Sequence, residues 1–173
     1  KLKQSCEMLN RMVMYNYKYD LGMLDYLLAY LKDRWSSFEN ILIINAYYKI
    51  LQIFLEPENP DHFYRLGNFL EEHRTEFNNE DLKLMYSFAI NRGIESLNQE
   101  EEKFSTATFK LYKLMIEDGL HMENRQIHHM FYKNIIVLAC KVGEFEWAKT
   151  FMDSHRGYLN VEYRKNAYNF NLA

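Results

Sequence analysis

The chain has 173 residues and a formal net charge of −3; 48% of its residues are hydrophobic and 26% are charged. This balance excludes a disordered or membrane-embedded chain. With no excess of basic residues, direct binding of nucleic acid is not expected. Only 6 Gly and 2 Pro are present, and this scarcity of turn-forming residues favours helices over an all-β fold.

Apolar residues recur at helical spacing from the first residues onward, which predicts an all-α fold. Two helices are predicted before residue 36. Ser36 followed by Glu39 has the form of a capping box and predicts the start of a third helix. Asn59 followed by Pro60 predicts the start of a fourth, because Asn caps free backbone N–H groups and Pro suits the first helical position.

The second half of the chain continues this pattern. Asn79 can cap a fifth helix, which Gly93 is expected to end or bend. Asn98 with Glu101 indicates the start of a sixth helix, and Gly119 fits its C-terminal stop. No segment shows the alternation of apolar and polar residues that a strand requires.

Three further helices are predicted beyond Gly119. The seventh follows directly after Glu123-Asn124, and Gly143 separates it from the eighth. The ninth begins near Asn160. Tyrosine-centred stretches recur roughly every 35–45 residues, which is the period of helix-hairpin solenoids. We therefore predict that the helices are layered in consecutive pairs.

The residues around the seventh and eighth helices resemble a tetratricopeptide-like repeat. Gly143, Phe145, Ala148 and Phe151 match the small-and-aromatic hinge pattern of that family over the last third of the chain. The stretches 131–151 and 164–173 are also similar to uncharacterised helical-repeat proteins of Bacteroidetes. The resemblance implies that Gly and Ala let two helices approach closely and that Phe fills the groove between them.

From the periodicity and the resemblance together we expect an α-α superhelix, a tetratricopeptide-like solenoid of about four helix hairpins. It is expected to form a single domain over residues 1–173. The chain starts at Lys1 and stops within an apolar pattern, so it is interpreted as an excerpt of a longer solenoid. No signal peptide or long apolar run is present, and a cytoplasmic protein without membrane contact is expected.

The two cysteines are predicted to be free thiols. Cys6 and Cys140 lie far apart and neither belongs to a Cys-x-x-Cys pair, which is typical of a reduced cytosolic protein, although a disulfide stays a possible alternative. Cys140 follows an apolar run and is interpreted as a small core residue.

No motif in the sequence carries a known chemistry. Glu-x-x-His, His-Glu-x-x-His, Gly-rich phosphate loops and Gly-x-Ser-x-Gly are all absent. His128 and His129 are the nearest approach to a cluster, but adjacent helical residues point about 100° apart and cannot easily bind one ion. We therefore predict no catalytic residue, no cofactor and no metal, and we expect a protein that is not an enzyme.

The remaining hypothesis is a binding surface. In tetratricopeptide-like stacks the first helices of the hairpins line a concave groove, and Tyr and Arg are good anchors for a peptide. His128 and Tyr132 are placed on such a groove because they fall opposite the apolar stripe of the seventh helix; Tyr48 and Arg92 are added from preceding helices.

The predicted function is a non-catalytic protein- or peptide-binding scaffold. A regulatory or sensory module of a larger protein, with a DNA-binding or catalytic domain elsewhere, and an enzyme with an unrecognised helical site stay open as alternatives.

Overall fold

The computed structural model describes residues 1–16, 22–96 and 104–164, and residues 97 and 98 by their backbone. Most of them are helical, which confirms the all-α prediction at this level. Helical residues also occur at 161–164, in the region where the ninth helix was expected. The described α-helices are α1 (Leu2–Tyr15), α2 (Gly22–Asp33), α3 (Trp35–Phe38), α4 (Leu42–Leu55), α5 (Pro60–His73), α6 (Asn79–Asn98), α7 (Ser105–Glu117), α8 (His129–Lys141) and α9 (Phe145–His155).

The chain divides into two compact units, residues 1–104 and residues 105–173. The expectation of one helical-repeat domain over 1–173 stays a prediction.

In the first unit, α4 packs against α1, α5 and α6, and α1 also packs against α6. In an open solenoid each repeat contacts only its neighbours, so the contact between α1 and α6 departs from the simplest row of hairpins. The core of this unit is built from aliphatic and aromatic side chains at helical spacing, including Ala46, Ile50, Leu51, Leu66, Leu70, Met85 and Phe88.

The helix starts in the first unit agree only partly with the sequence signals. Asn59 caps α5 as expected: its side-chain oxygen accepts a hydrogen bond from the N–H of Asp61 at 3.1 Å, and Pro60 opens the helix. The expected capping box at Ser36 and Glu39 is wrong, because α3 is a four-residue helix and α4 begins only at Leu42.

The start and end of α6 also differ from expectation. Asn78, not Asn79, supplies the side-chain oxygen that accepts from the N–H of Asp81 at 2.9 Å. Helix α6 continues through Gly93 and includes Asn98, so Gly93 does not end the helix and Asn98 does not precede a new one; a bend at Gly93 stays a prediction. The next described α-helix, α7, starts at Ser105. Glu101, the other half of the predicted start signal, lies outside the described residues.

In the second unit, α8 packs against both α7 and α9. Two-residue strands β1 (Met122–Glu123) and β2 (Gln126–Ile127) pair between α7 and α8. Asn124 and Arg125 join them with φ of 50° and 61°, as the two central residues of a type I′ turn require. This hairpin replaces the helix start that was predicted after Glu123-Asn124.

Both glycines expected to stop helices in this unit do so. Gly119 and Gly143 have φ of +71° and +82°. At Gly143, the N–H of Gly143 donates to the carbonyl of Cys140 at 3.1 Å and the N–H of Glu144 donates to that of Ala139 at 2.8 Å. This pair of bonds is a Schellman motif, in which a left-handed residue satisfies the last carbonyls of the helix.

The packing expected from the tetratricopeptide-like hinge is only partly present. Ala148 and Phe151 are buried, but Phe145 is 63% exposed and fills no groove. A Cβ added to Gly143 would meet nothing within 4 Å, so this glycine is needed for its backbone conformation and not for close helix approach. Cys140 is exposed while Cys6 is buried, which corrects the expected core position of Cys140; both thiols are free.

Candidate functional site

Tyr48, the first of the four predicted groove residues, is half-buried on α4. Its ring packs against Trp35 of α3 with the centroids 4.5 Å apart. One face of Tyr48 is therefore occupied by this aromatic contact, which holds the short helix α3 against α4.

Arg92 is buried, with 4% of its surface exposed, so its placement in an open groove is wrong. Its Nε donates to the carbonyl of Ile53 at 3.1 Å, and its Nη2 donates to the carbonyl of Pro57, also at 3.1 Å. Its Nη1 pairs with Glu95 and Ser96, three and four residues further along α6. Arg92 thus satisfies carbonyls at the C-terminal end of α4, where a cation is favourable.

Tyr132 is also buried, with 0% exposure, and this prediction of a groove residue is wrong too. Its hydroxyl donates to the carbonyl of Met152 at 3.2 Å, and its ring lies 5.7 Å from that of Phe151. The sequence projection assumed one apolar face on this helix. Helix α8 is covered on two sides, by α7 and α9, so the side opposite its first apolar stripe is buried as well.

His128 is the exposed member of the predicted set. It caps α8: its Nδ1 accepts from the N–H of Met130 at 3.3 Å, which requires that nitrogen to be unprotonated. The residue borders a polar cleft of about 410 Å³, together with His129, Asn160 and Tyr163. The rings of His129 and Tyr163 stack there, with centroids 4.1 Å apart. Because Arg92 and Tyr132 are buried, the four predicted residues do not form one binding surface.

A second histidine pair lies inside the second unit. The rings of His121 and His155 are 5.4 Å apart, and His121 also lies 6.2 Å from Phe131. Burial lowers the pKa of both imidazoles; for His121 the neighbouring His155 lowers the pKa further. The ring nitrogens of His121 make no hydrogen bond within the described part of the chain. This arrangement favours two neutral imidazoles in an aromatic cluster.

An apolar groove between α1 and α2 was not predicted. It has a volume of about 540 Å³ and is lined by Lys1, Gln4, Ser5, Met8, Met23, Tyr26, Leu27 and Tyr30. Met23 is 70% exposed, Tyr26 is 77% exposed and Tyr30 is 49% exposed. Neighbouring large apolar side chains at such exposure are a feature of docking surfaces, whereas single exposed ones need no explanation.

Helix α2 presents this surface because it is apolar on two faces. Leu24 and Leu31 are buried and hold the helix on the first unit. Met23, Leu27 and Tyr30 follow a second line along the helix, since residues three and four apart share a face. The spacing of this second line is readable in the sequence. Which of two apolar lines is covered is decided by packing.

At one end of the groove, the ring of Tyr30 contacts two neighbouring side chains. The guanidinium carbon of Arg34 lies 5.3 Å from the centroid of the Tyr30 ring, a cation–π geometry. The ring of Phe38 also packs against Tyr30, with the two centroids 5.9 Å apart. Tyr30 is thus an exposed ring with a fixed position, which lowers the entropy cost of binding.

Among the described residues, no group of three or more His, Cys, Asp and Glu could hold a metal ion. The thiol of Cys6 has its pKa raised by burial, which disfavours the nucleophilic thiolate. In the part of the chain described here, no helix combines the length and the apolar character needed to cross a membrane.

Comparison of the chain with protein-family models, with curated proteins and with solved structures gives no match. The tetratricopeptide-like resemblance therefore depends on the quoted residues and their spacing, and functional inference depends on the surfaces described above.

Proposed function

We propose that this chain is a non-catalytic protein- or peptide-binding module, and that it docks a segment of a partner protein in the α1–α2 groove. The observation that carries the proposal is the line of Met23, Tyr26 and Tyr30, which are exposed side by side along a concave surface. Tyr is a frequent anchor in protein interfaces, and Met adapts its shape to different partners.

The groove has the size and chemistry that such docking needs. A volume of about 540 Å³ accommodates a few apolar side chains, and small-ligand and peptide anchor sites fall in the same range. Gln4 and Ser5 line the α1 side and provide polar groups that can fix the orientation of a bound segment. Truncating a central aromatic anchor in such a surface typically costs about 1–2 kcal/mol or more of binding free energy.

The arrangement of the helices in repeated hairpins belongs to the same proposal. We take the helix pairs α4–α5 and α8–α9 as hairpins of a tetratricopeptide-like superhelix with about four hairpins. Each pair is consecutive in sequence and packed in the structure, which supports this view. The contact of α1 with α6 in the first unit argues for a more closed packing there than in a regular repeat.

Selection of a phage-displayed random peptide library on the purified protein tests the function. Binders should be enriched, and their affinity should fall about tenfold or more for Met23→Ser and Tyr26→Ser, since these remove exposed anchors and leave the core intact. Phe145→Ser is the matched control, because it removes an equally exposed aromatic side chain from the second unit. Thermal melting of each variant verifies folding.

Two results would contradict the proposal. Selection that enriches no peptide argues against a peptide-binding module. Binders that are insensitive to both groove substitutions but lose affinity with His128→Ala would assign docking to the polar cleft beside α8 instead of the α1–α2 groove.

A further inference from the structure

We propose that the partner segment in the α1–α2 groove is an acidic amphipathic helix, with apolar anchors on one face and Asp or Glu beside them. This inference rests on the proposed docking function and adds the chemistry of the partner. It follows from the charges around the groove and from the shape of its two walls.

The ionisable groups at the groove are cationic. Lys1 lines it, and Arg34 lies over the ring of Tyr30. Arg34 continues the exposed line of α2, because it follows Tyr30 by four residues and its N–H donates to the carbonyl of Tyr30 at 3.2 Å. The groove therefore has a positive border, although the chain as a whole has a net charge of −3.

The carboxylates of α1 and α2 are placed elsewhere. No Asp or Glu is among the described residues that line the groove. Glu7 lines a different cavity, beside α6. By helical register, Asp25 falls on the far side of α2 from the groove. Asp33 follows Tyr30 by three residues, but it is not among the residues that line the groove. A partner with acidic flanks meets cations at this border, and a basic partner meets no carboxylate within the groove.

The walls of the groove favour a helix as the occupant. On α1, Gln4 and Ser5 precede Met8 by four and three residues. On α2, Leu27 follows Met23 by four residues and Tyr30 follows Leu27 by three. Two helix faces with such lines form a groove into which the apolar line of a third helix fits, as in other helix-in-groove interactions. An amphipathic helix carries its anchors at i, i+3, i+4 and i+7, which matches this spacing.

Two synthetic peptides of about 14 residues, or four helical turns, test the inference. Both have acetylated and amidated ends and Leu and Phe anchors at i, i+3, i+4 and i+7. One carries Glu beside the anchors and the other carries Lys. Fluorescence anisotropy should show the Glu peptide binding about fivefold to tenfold more tightly at low salt, and the difference should shrink at about 0.5 M salt because exposed charges are screened.

Charge-reversal variants locate the effect. Arg34→Glu, alone and combined with Lys1→Glu, should remove or invert the preference for the Glu peptide. Lys32→Glu is the matched control: it makes the same change of charge on α2, but its side chain falls on the far side of the helix from the groove by register. Lys32→Glu should leave the preference unchanged.

The outcomes separate this inference from the docking function. If library-selected peptides depend on Met23 and Tyr26 but the two synthetic peptides bind equally well, the docking function stands and the acidic partner is wrong. Equal effects of Lys32→Glu and Arg34→Glu also overturn the inference, since the preference would then reflect overall charge. If sedimentation shows a dimer that Tyr26→Ser dissociates, the groove is occupied by a second copy of the chain, which equally overturns it.

Discussion

The hydroxyl of Tyr47 on α4 donates a 2.8 Å hydrogen bond to Oδ1 of Asp81 on α6. The same oxygen accepts from Nζ of Lys3 on α1 at 3.1 Å, so one carboxylate joins three helices of the first unit. Hydrogen bonds from Asn78 and then Tyr47 hold the pKa of Asp81 below its ordinary value. Burial, followed by this hydrogen bond, raises the pKa of Tyr47.

Tyr47→Phe is expected to lower the free energy of unfolding by about 1 kcal/mol, because the ring stays packed while one hydrogen bond to a charged group is lost. The pKa of Asp81 should rise toward its ordinary value, which NMR titration of the carboxylate measures. Tyr26→Phe, at an exposed position, should change neither quantity. An unchanged Asp81 titration in Tyr47→Phe would contradict the role given to this hydroxyl.

Arg92→Met is expected to destabilise the first unit by about 3 kcal/mol. The substitution removes the donor to the carbonyls of Ile53 and Pro57 and removes the cation that pairs with Glu95. Urea unfolding followed by circular dichroism measures the effect. Arg11→Met, on the exposed side of α1, should cost less than about 0.5 kcal/mol. If Arg92→Met costs as little unfolding free energy as Arg11→Met, the buried structural role given to Arg92 is wrong.

Two glycines should respond to alanine in opposite directions. Gly143→Ala is expected to cost about 1 kcal/mol or more, because φ of +82° places an L side chain in the left-handed region. Gly67 lies within α5, and a Cβ added there would meet nothing within 4 Å, so Gly67→Ala should stabilise by about 0.5–1 kcal/mol. Thermal melts of the two variants compare the signs directly, and the same sign in both would refute the backbone argument.

The second unit should lose stability on mild acidification. The pKa values of His121 and His155 are lowered from 6.5 in the folded chain, so the unfolded chain binds protons first as pH falls. The stabilisation is fully present above about pH 6.5 and is lost progressively as pH falls from there through the lowered folded values. His121→Phe should flatten this dependence.

The emission of Trp147, which stacks on Phe151 of the same unit, reports this unfolding. The chain has 2 Trp, so Trp35→Phe makes Trp147 the single tryptophan. Denaturant unfolding is measured in this background at several pH values between about 5 and 8. An equally steep pH dependence with and without His121 would show that other groups cause it.

The sequence by itself determined the features that depend on local backbone chemistry. The helical content follows from apolar spacing. The start of α5 follows from Asn59 and Pro60, and the ends of α7 and α8 follow from Gly119 and Gly143, because capping and left-handed conformations are set by a few adjacent residues. The hairpin between α7 and α8 was missed, since Asn124-Arg125 is a weaker turn signal than Asn-Gly.

Tertiary structure decided which helix faces are covered, and the candidate site depends on that. A pattern within one helix shows an apolar line but not how many neighbours the helix has. Helix α8 has two neighbours, α7 and α9, so Tyr132 is buried. The C-terminal end of α4 lies beside α6, so Arg92 of α6 is buried where it donates to the last carbonyls of α4. Helix α2 has more apolar surface than its neighbours cover, so Met23 and Tyr26 stay exposed. Burial is a property of pairs of elements that are distant in sequence, and for this reason the exposed α1–α2 groove became visible only in the fold.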